Sequence, residues 1–171
     1  MPISIYDASV PVFRQMLECQ MAFLHKAAAH ADSKNIDPMR IAGAKLSKNS
    51  PAYGEHVRMM CFIANQTMAQ LADVKIKTPK EAERGIPGLK IRVARALKLT
   101  HELKPVQFAA AETKLHPIPL SNGGTGEVTA QELIMHFAMP NFYMHAVLAY
   151  ETLVRVGVSV KMDEFSFPPV A

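Results

Sequence analysis

The sequence has no tryptophan, and its other aromatic residues are few. Phe and Tyr make up 7% of the 171 residues, and the 19 Lys and Arg residues are scattered along the chain beside 15 Asp and Glu, which gives a net charge of +4. Proteins that bind nucleic acid usually concentrate basic residues on one face, with stacking aromatics among them. The sequence shows neither pattern, so we expect no nucleic-acid partner.

Cysteine is also scarce, and the spacing of the two cysteines excludes several kinds of site. Cys19 and Cys61 lie far apart and form no CxxC pair, so neither a zinc knuckle nor a redox dithiol is indicated. The first ten residues, MPISIYDASV, lack the basic region and the long apolar run of a signal peptide. These features favour a cytoplasmic protein with two reduced thiols.

No stretch of the sequence is long and apolar enough to predict a membrane span. The most apolar window, residues 133–150, is interrupted by two histidines, an asparagine and Pro140, whereas a transmembrane helix needs about 20 nearly unbroken apolar residues. With 49% hydrophobic and 20% charged residues, the composition is that of an ordinary globular protein. The length suits a single domain, which we place at residues 1–171.

A helical period is present in four long segments. Apolar residues recur every three or four positions in the segments 8–33, 51–73, 87–103 and 129–156. The pair Ser50-Pro51 favours the start of the second helix, and Thr129 with Glu132 has the spacing of a capping box at the start of the fourth. Four amphipathic helices predict an all-α four-helix bundle, and the 11 methionines suit its core.

Shorter elements are predicted between these helices. Asp37-Pro38 favours one helical turn after the first helix, and Thr78 with Glu81 has capping-box spacing. The segment KLHPIPLSNGGTGEVT, residues 114–129, contains two extended runs around a glycine-rich turn and predicts a small β-hairpin. Its SNGGTG turn is not a phosphate loop, because it lacks the GK[ST] ending and follows no buried strand.

Pro140 lies inside the fourth helix and should bend it. Proline cannot donate a hydrogen bond to the carbonyl of His136, and its ring clashes with the same turn, at a cost on the order of 3 kcal/mol. The freed carbonyl needs another donor if it is buried. Two interpretations follow: a polar pocket beside the bend, or a bend that only fits the helix around the bundle.

The polar residues near this bend lie on different faces of the helix. Since successive residues rotate by about 100°, His136 and His145 point to nearly opposite sides and cannot bind one metal ion together. Asn141 and His145 share a face, with Thr152 roughly in line below them. His56, early in the second helix, is the histidine that a neighbouring helix would bring to this face.

Other side chains have simpler interpretations. Cys61 lies five residues after His56 and faces a different way, so we expect it to be buried as a small hydrophobe. His116 lies in a loop, where contact with solvent is expected. The basic residues of the third helix should form a solvated surface.

Two stretches of the sequence resemble a known family. ISIYDASVPVF at the start and HFAMPNFYMHAVLAYETLVRVGV near the end resemble a bacterial family within the DinB/YfiT-like superfamily, and the resemblance runs over about residues 5–158. It implies a four-helix bundle that is often a homodimer. In the metal-binding members, one histidine comes from the second helix and an HxxxH pair from the fourth, and such members include thiol-dependent transferases and isomerases.

The sequence departs from this metal-binding pattern at one position. The place of the HxxxH pair reads Asn141 to His145, and His56 matches the histidine of the second helix. An amide is a much poorer ligand than imidazole for zinc or nickel. His56 and His145 would therefore bind either metal only weakly, and we expect no resident cofactor.

Two functions remain open from the sequence. One is an enzyme of the superfamily's transferase or isomerase type, which acts on a small organic or thiol-linked molecule with His145 as acid or base. Its pocket would be lined by His56, Asn141 and Thr152. The other is a non-catalytic bundle that has lost its metal site and binds a ligand or a second subunit.

Overall fold

The computed structural model describes residues 3–76 and 84–166, which are mainly helical. Along this part of the chain the α-helices are α1 (Val10–Lys34), α2 (Pro38–Ala42), α3 (Tyr53–Ala72), α4 (Gly85–Glu102), α5 (Ala130–Glu132), α6 (Met139–Arg155) and α7 (Met162–Ser166). A π-helix, Leu133–Ala138, joins α5 to α6, and 3₁₀ turns lie at Pro105–Phe108 and Ala111–Thr113. Strands β1 (His116–Pro119) and β2 (Thr125–Val128) form an antiparallel hairpin. The predicted all-α bundle with a small hairpin is confirmed.

The long helices pack around one hydrophobic core. Helix α3 lies against α6, α1 lies against α4, and α3 also contacts α4. Phe13 of α1 and Phe142 of α6 are fully buried, and their rings meet edge to face with centroids 5.0 Å apart. Burial of a side chain of this size stabilises the fold by about 1.5–3 kcal/mol. The pairing of α3 with α6 positions the candidate site.

The second long helix begins two residues later than predicted. Ser50 was expected to cap it, but the Ser50 hydroxyl instead accepts from the Ser47 N–H and donates to the Ser47 carbonyl, both at 2.9 Å. Ala52 is the residue before the helix, and its N–H donates to the Glu55 carboxylate. The prediction was wrong because the Ser50 side chain closes a preceding turn.

The fourth helical segment begins and ends as its sequence predicted. The Thr129 hydroxyl accepts from the Glu132 N–H at 3.2 Å, and the Glu132 carboxylate accepts from the Thr129 N–H at 2.9 Å, which is the predicted capping box. At the other end, Gly157 has a φ of 83° and its N–H bonds to the Val154 carbonyl. Val158 bonds back to Leu153, which completes a Schellman motif.

The third long helix begins close to its predicted start. Helix α4 begins at Gly85, near the predicted Pro87. The predicted Thr78–Glu81 capping box lies outside the described residues.

The position of His116 differs from its prediction. His116 was expected to meet solvent, but it is 3% exposed and its Nε2 lies 3.1 Å from the Ala111 carbonyl oxygen. Strand β1 is also joined to α3 next to this ring, because Gln70 Nε2 donates to the Pro117 carbonyl at 2.9 Å.

Candidate functional site

The structure brings His56 of α3 and His145 of α6 into direct contact. Their Nδ1 atoms are 2.9 Å apart, and the ring centroids lie 5.2 Å apart with an angle of 47° between the planes. The distance is that of a normal hydrogen bond from an N–H donor. A pair of residues 89 positions apart in sequence therefore forms one unit where α3 meets α6.

Each histidine is held by the packing of its own helix. His56 lies one turn after the fully buried Tyr53 and is itself 1% exposed. His145 is half-buried on the flank of α6, between the buried Phe142 and Ala149 on one side and the exposed Met144 on the other. The expected position of His145 at the edge of the core agrees with this arrangement.

Both imidazoles are neutral near pH 7. Burial lowers the pKa of His56 below its usual 6.5, the positive charge of a protonated His145 lowers it further, and the Glu55 carboxylate raises it in part. Burial alone lowers the pKa of His145. A proton added to either ring would be partly desolvated, so the neutral pair is the stable form at neutral pH.

A hydrogen bond between two neutral imidazoles fixes their tautomers. One ring must carry its proton on Nδ1 and donate it, and the other must carry its proton on Nε2 and accept through Nδ1. Within residues 3–76 and 84–166, the buried Nε2 of His56 has no hydrogen-bond partner. His145 is the half-buried member of the pair, so its ring is the one nearer to solvent.

Asn141 was predicted to line a pocket beside His145, but its side chain bonds to its own helix. Its side chain is exposed, and its Nδ2 donates to the Phe137 carbonyl at 2.8 Å. That carbonyl is four residues before Asn141, whereas the carbonyl that Pro140 leaves without a backbone donor in an α-helix is that of His136. The Asn141 amide is therefore held by the backbone of its own helix, one residue after the carbonyl that Pro140 frees.

The break itself is a π-helix. The Met139 N–H donates to Ile134, five residues back, whereas an α-helix would use the residue four back. Pro140 was expected to bend the helix, and the observed feature is this wider turn immediately before it. Single π-turns inside α-helices are frequent at functional sites.

Thr152 is also tied to its own helix. It is fully buried, and its hydroxyl donates to the Leu148 carbonyl at 2.7 Å. Of the predicted site residues, the structure joins His56 to His145, and it bonds Asn141 and Thr152 to backbone carbonyls of the fourth helical segment. Two cavities of about 670 and 760 Å³ lie elsewhere, and neither is lined by either histidine.

The donor set does not fit a three-histidine metal centre. Within the described parts of the chain, no group of three or more His, Cys, Asp or Glu side chains is placed to hold a metal ion. Two imidazoles are present, and the Asn141 amide that would occupy the third position is directed to Phe137. The described residues of this site therefore offer two imidazole ligands and no third.

The outer faces of the same two helices carry exposed apolar side chains. Met59 and Phe62 are exposed on α3, and Met144, Val147 and Val154 are exposed on α6. The α6 residues are spaced three and seven apart, so they form one stripe on the side opposite the core, with the exposed Glu151 between Val147 and Val154. The sequence signal for this stripe is the presence of large apolar residues on the side of α6 that does not face the core.

The comparisons with known proteins agree with this architecture. Residues 5–166 match the family DUF1993, described as a domain of unknown function. The chain is also similar to the crystal structure of a DinB family member protein from Shewanella denitrificans, with 26% sequence identity and a TM-score of 0.85 over 97% of this chain and 94% of that one. No curated protein matches the chain. The chain therefore belongs to the DUF1993 family and has the all-α fold of the DinB family.

Proposed function

We propose that this protein acts on a small organic or thiol-linked molecule, with His145 as the acid or base. The observation that supports this function is the contact between His56 and His145, in which a buried imidazole holds a half-buried one. A catalytic histidine needs a partner that fixes its tautomer and orientation. His56 supplies that partner without introducing a charge.

The pKa of His145 suits the role of a general base. Because burial keeps this pKa below 6.5, the ring is neutral at neutral pH, and in the tautomer that donates its Nδ1–H to His56 its Nε2 can accept a proton. A thiol has a pKa near 8.5, so full deprotonation by His145 is unfavourable. His145 would instead accept the thiol proton as the new bond to sulfur forms. As the carbon–leaving-group bond breaks, the same Nε2 would pass the proton to the leaving group or to solvent.

A thiol-transfer assay tests this function. The probes are glutathione with 1-chloro-2,4-dinitrobenzene, which together report transfer of a thiol to an aromatic carbon with release of chloride. We expect the protein to accelerate the reaction and His145→Gln to remove the acceleration. His136→Gln is the matched control, since it changes an exposed histidine of the same helical segment. Equal rates for the protein, both variants and buffer would contradict the thiol-linked function.

A second function is supported by the apolar outer faces of α3 and α6. We propose that a second copy of the chain covers them and that the protein is a homodimer. C2 pairing is the commonest symmetric assembly, and it joins the same patch of both subunits. A stripe of three large apolar side chains on α6, beside two on α3, is the kind of surface that such pairing buries. This dimerisation function requires no turnover at the histidine pair.

We place the protein in the cytoplasm. Cys19 and Cys61 are both buried thiols, which suits a reducing compartment. None of the described helices is long and apolar enough to cross a membrane.

A further inference from the structure

The distance between the two histidines is that of a hydrogen bond and is shorter than a shared metal ion would give. Zinc binds imidazole nitrogen at about 2.0–2.1 Å, so two nitrogens on one tetrahedral ion lie about 3.3–3.4 Å apart. The Nδ1 atoms of His56 and His145 are 2.9 Å apart. The two nitrogens contact each other directly, and an ion between them would have to separate them.

The side chain at position 141 is also directed away from the two histidines. Position 141 stands four residues before His145, where an HxxxH site would place its first imidazole. The Asn141 amide bonds instead to the Phe137 carbonyl of its own helix at 2.8 Å. The residue that stands where a metal site would place a ligand is thus held by the helix backbone.

We propose that a hydrogen bond between His56 and His145 takes the place of a metal ion in this protein. One proton, shared along the line between two Nδ1 atoms, links α3 to α6. The link needs no cation, and the neutral imidazoles carry no charge into the core. The bond would hold the site together whether or not a reaction takes place at His145.

The link joins a buried ring to a half-buried one. His56 is 1% exposed and His145 is half-buried, so the bond between them is partly screened from water. A hydrogen bond is stronger in such surroundings than in full contact with solvent. Loss of one ring would leave the other with a buried nitrogen that has no partner, which is costly.

Nuclear magnetic resonance measures this link directly. In protein labelled with ¹⁵N, we expect a scalar coupling across the hydrogen bond between the Nδ1 atoms of His56 and His145 at neutral pH. We expect the coupling to persist when one equivalent of Zn²⁺ is added. His145→Gln should abolish the coupling, and His136→Gln should leave it intact.

Two results would overturn the inference. One is the absence of the coupling in folded protein whose other histidine signals are resolved. The other is a coupling that disappears with one equivalent of Zn²⁺, together with a rise in melting temperature that His145→Gln abolishes, because ligand linkage would then report a real metal site. The proposed thiol chemistry fails separately, in the activity assay, and neither of these measurements depends on it.

Discussion

At the scale of single residues, the side chain at position 141 decides how many imidazoles can reach the site. Asparagine at this position stabilises the turn before Pro140 through its bond to Phe137, and it contributes no nitrogen that zinc or nickel binds well. His145 and His56 are therefore left to bond to each other. A single substitution should change this balance.

Asn141→His should create a metal site from the existing pair. The new ring would lie four residues before His145 on one flank of the helix, and it would be the third imidazole beside those of His56 and His145. We expect Ni²⁺ or Zn²⁺ to raise the melting temperature of the variant clearly more than that of the parent, through ligand linkage.

Asn141→Ala is the matched control for that experiment, because it also loses the bond to Phe137 but adds no ring. Both variants should lose about 0.5–1.5 kcal/mol of stability without metal, the usual net contribution of one hydrogen bond. Equal and weak metal responses in the parent and in Asn141→His would show that position 141 does not face the pair.

The two histidines should also make stability depend on pH. Their pKa values are lowered in the folded protein, so below about pH 6.5 the unfolded chain binds more protons than the folded one. The stabilising contribution is therefore fully present above pH 6.5 and is lost as the pH falls from there towards the lowered pKa values. We expect the melting temperature to drop from about pH 7.5 to about pH 5.5.

His145→Gln should flatten this dependence, since it removes one titrating ring and the charge that acts on His56. His136→Gln alters an exposed histidine and should leave the slope nearly unchanged. A slope that is the same in all three proteins would mean that other groups carry the acid sensitivity.

The residue-scale predictions from sequence succeeded where helix geometry alone decides. The 100° rotation per residue was enough to place His145 at the edge of the core. The bonds of Asn141 and Thr152 could not be predicted in the same way. Short polar side chains choose between a neighbouring helix and their own backbone, and that choice depends on distances the sequence does not contain.

At the scale of elements, the ends of the fourth helical segment follow from a few residues. Thr129 and Glu132 satisfy the first N–H groups, and Gly157 adopts the left-handed conformation that ends the helix. These signals are local, so the sequence predicts them well. The π-helix between the ends is different. Whether a backbone N–H bonds to the carbonyl four or five residues back depends on how side chains such as Ile134 and Phe142 pack against the other helices.

Thr129→Ala should destabilise the protein by about 1 kcal/mol, the usual cost of losing an N-cap hydroxyl. The Thr129 hydroxyl accepts from the Glu132 N–H, and both Thr129 groups lower the pKa of the Glu132 carboxyl. Chemical denaturation of the variant measures the loss, with Ser121→Ala in the exposed hairpin turn as a control that should change stability little. A cost as small as that of the control would show that the cap is not formed.

At the scale of the whole molecule, we propose that the chain is one domain and unfolds as one unit. Side chains of α1, α3, α4 and α6 belong to the same hydrophobic core. Calorimetry should therefore give a single transition whose calorimetric enthalpy equals its van't Hoff enthalpy, unless dimer dissociation is coupled to it. Two separated transitions at one protein concentration would contradict the single domain.

The four-helix bundle was predictable from sequence because its signal is repeated in every turn of every long helix. Burial on one side of Phe13, Phe142 and Leu153 follows directly from the apolar period. The outer stripe of α6 carries Met144, Val147 and Val154 around the exposed Glu151, and periodicity alone does not show whether such a stripe meets solvent or an interface. Only the packed monomer shows which face is left exposed.

The exposed stripe of α6 should control the oligomeric state. Light scattering at tens of micromolar should give twice the monomer mass of 18.8 kDa, because two apolar stripes are buried against each other. Val147→Glu places a charge at the middle of the stripe and should shift the mass to that of the monomer while the helical content stays unchanged. Val106→Glu is the control, since Val106 is 79% exposed on a 3₁₀ turn, outside α3 and α6. A monomeric parent would remove the dimerisation function altogether, and a dimer that survives Val147→Glu but dissociates with Val106→Glu would assign the interface to a different face of the bundle.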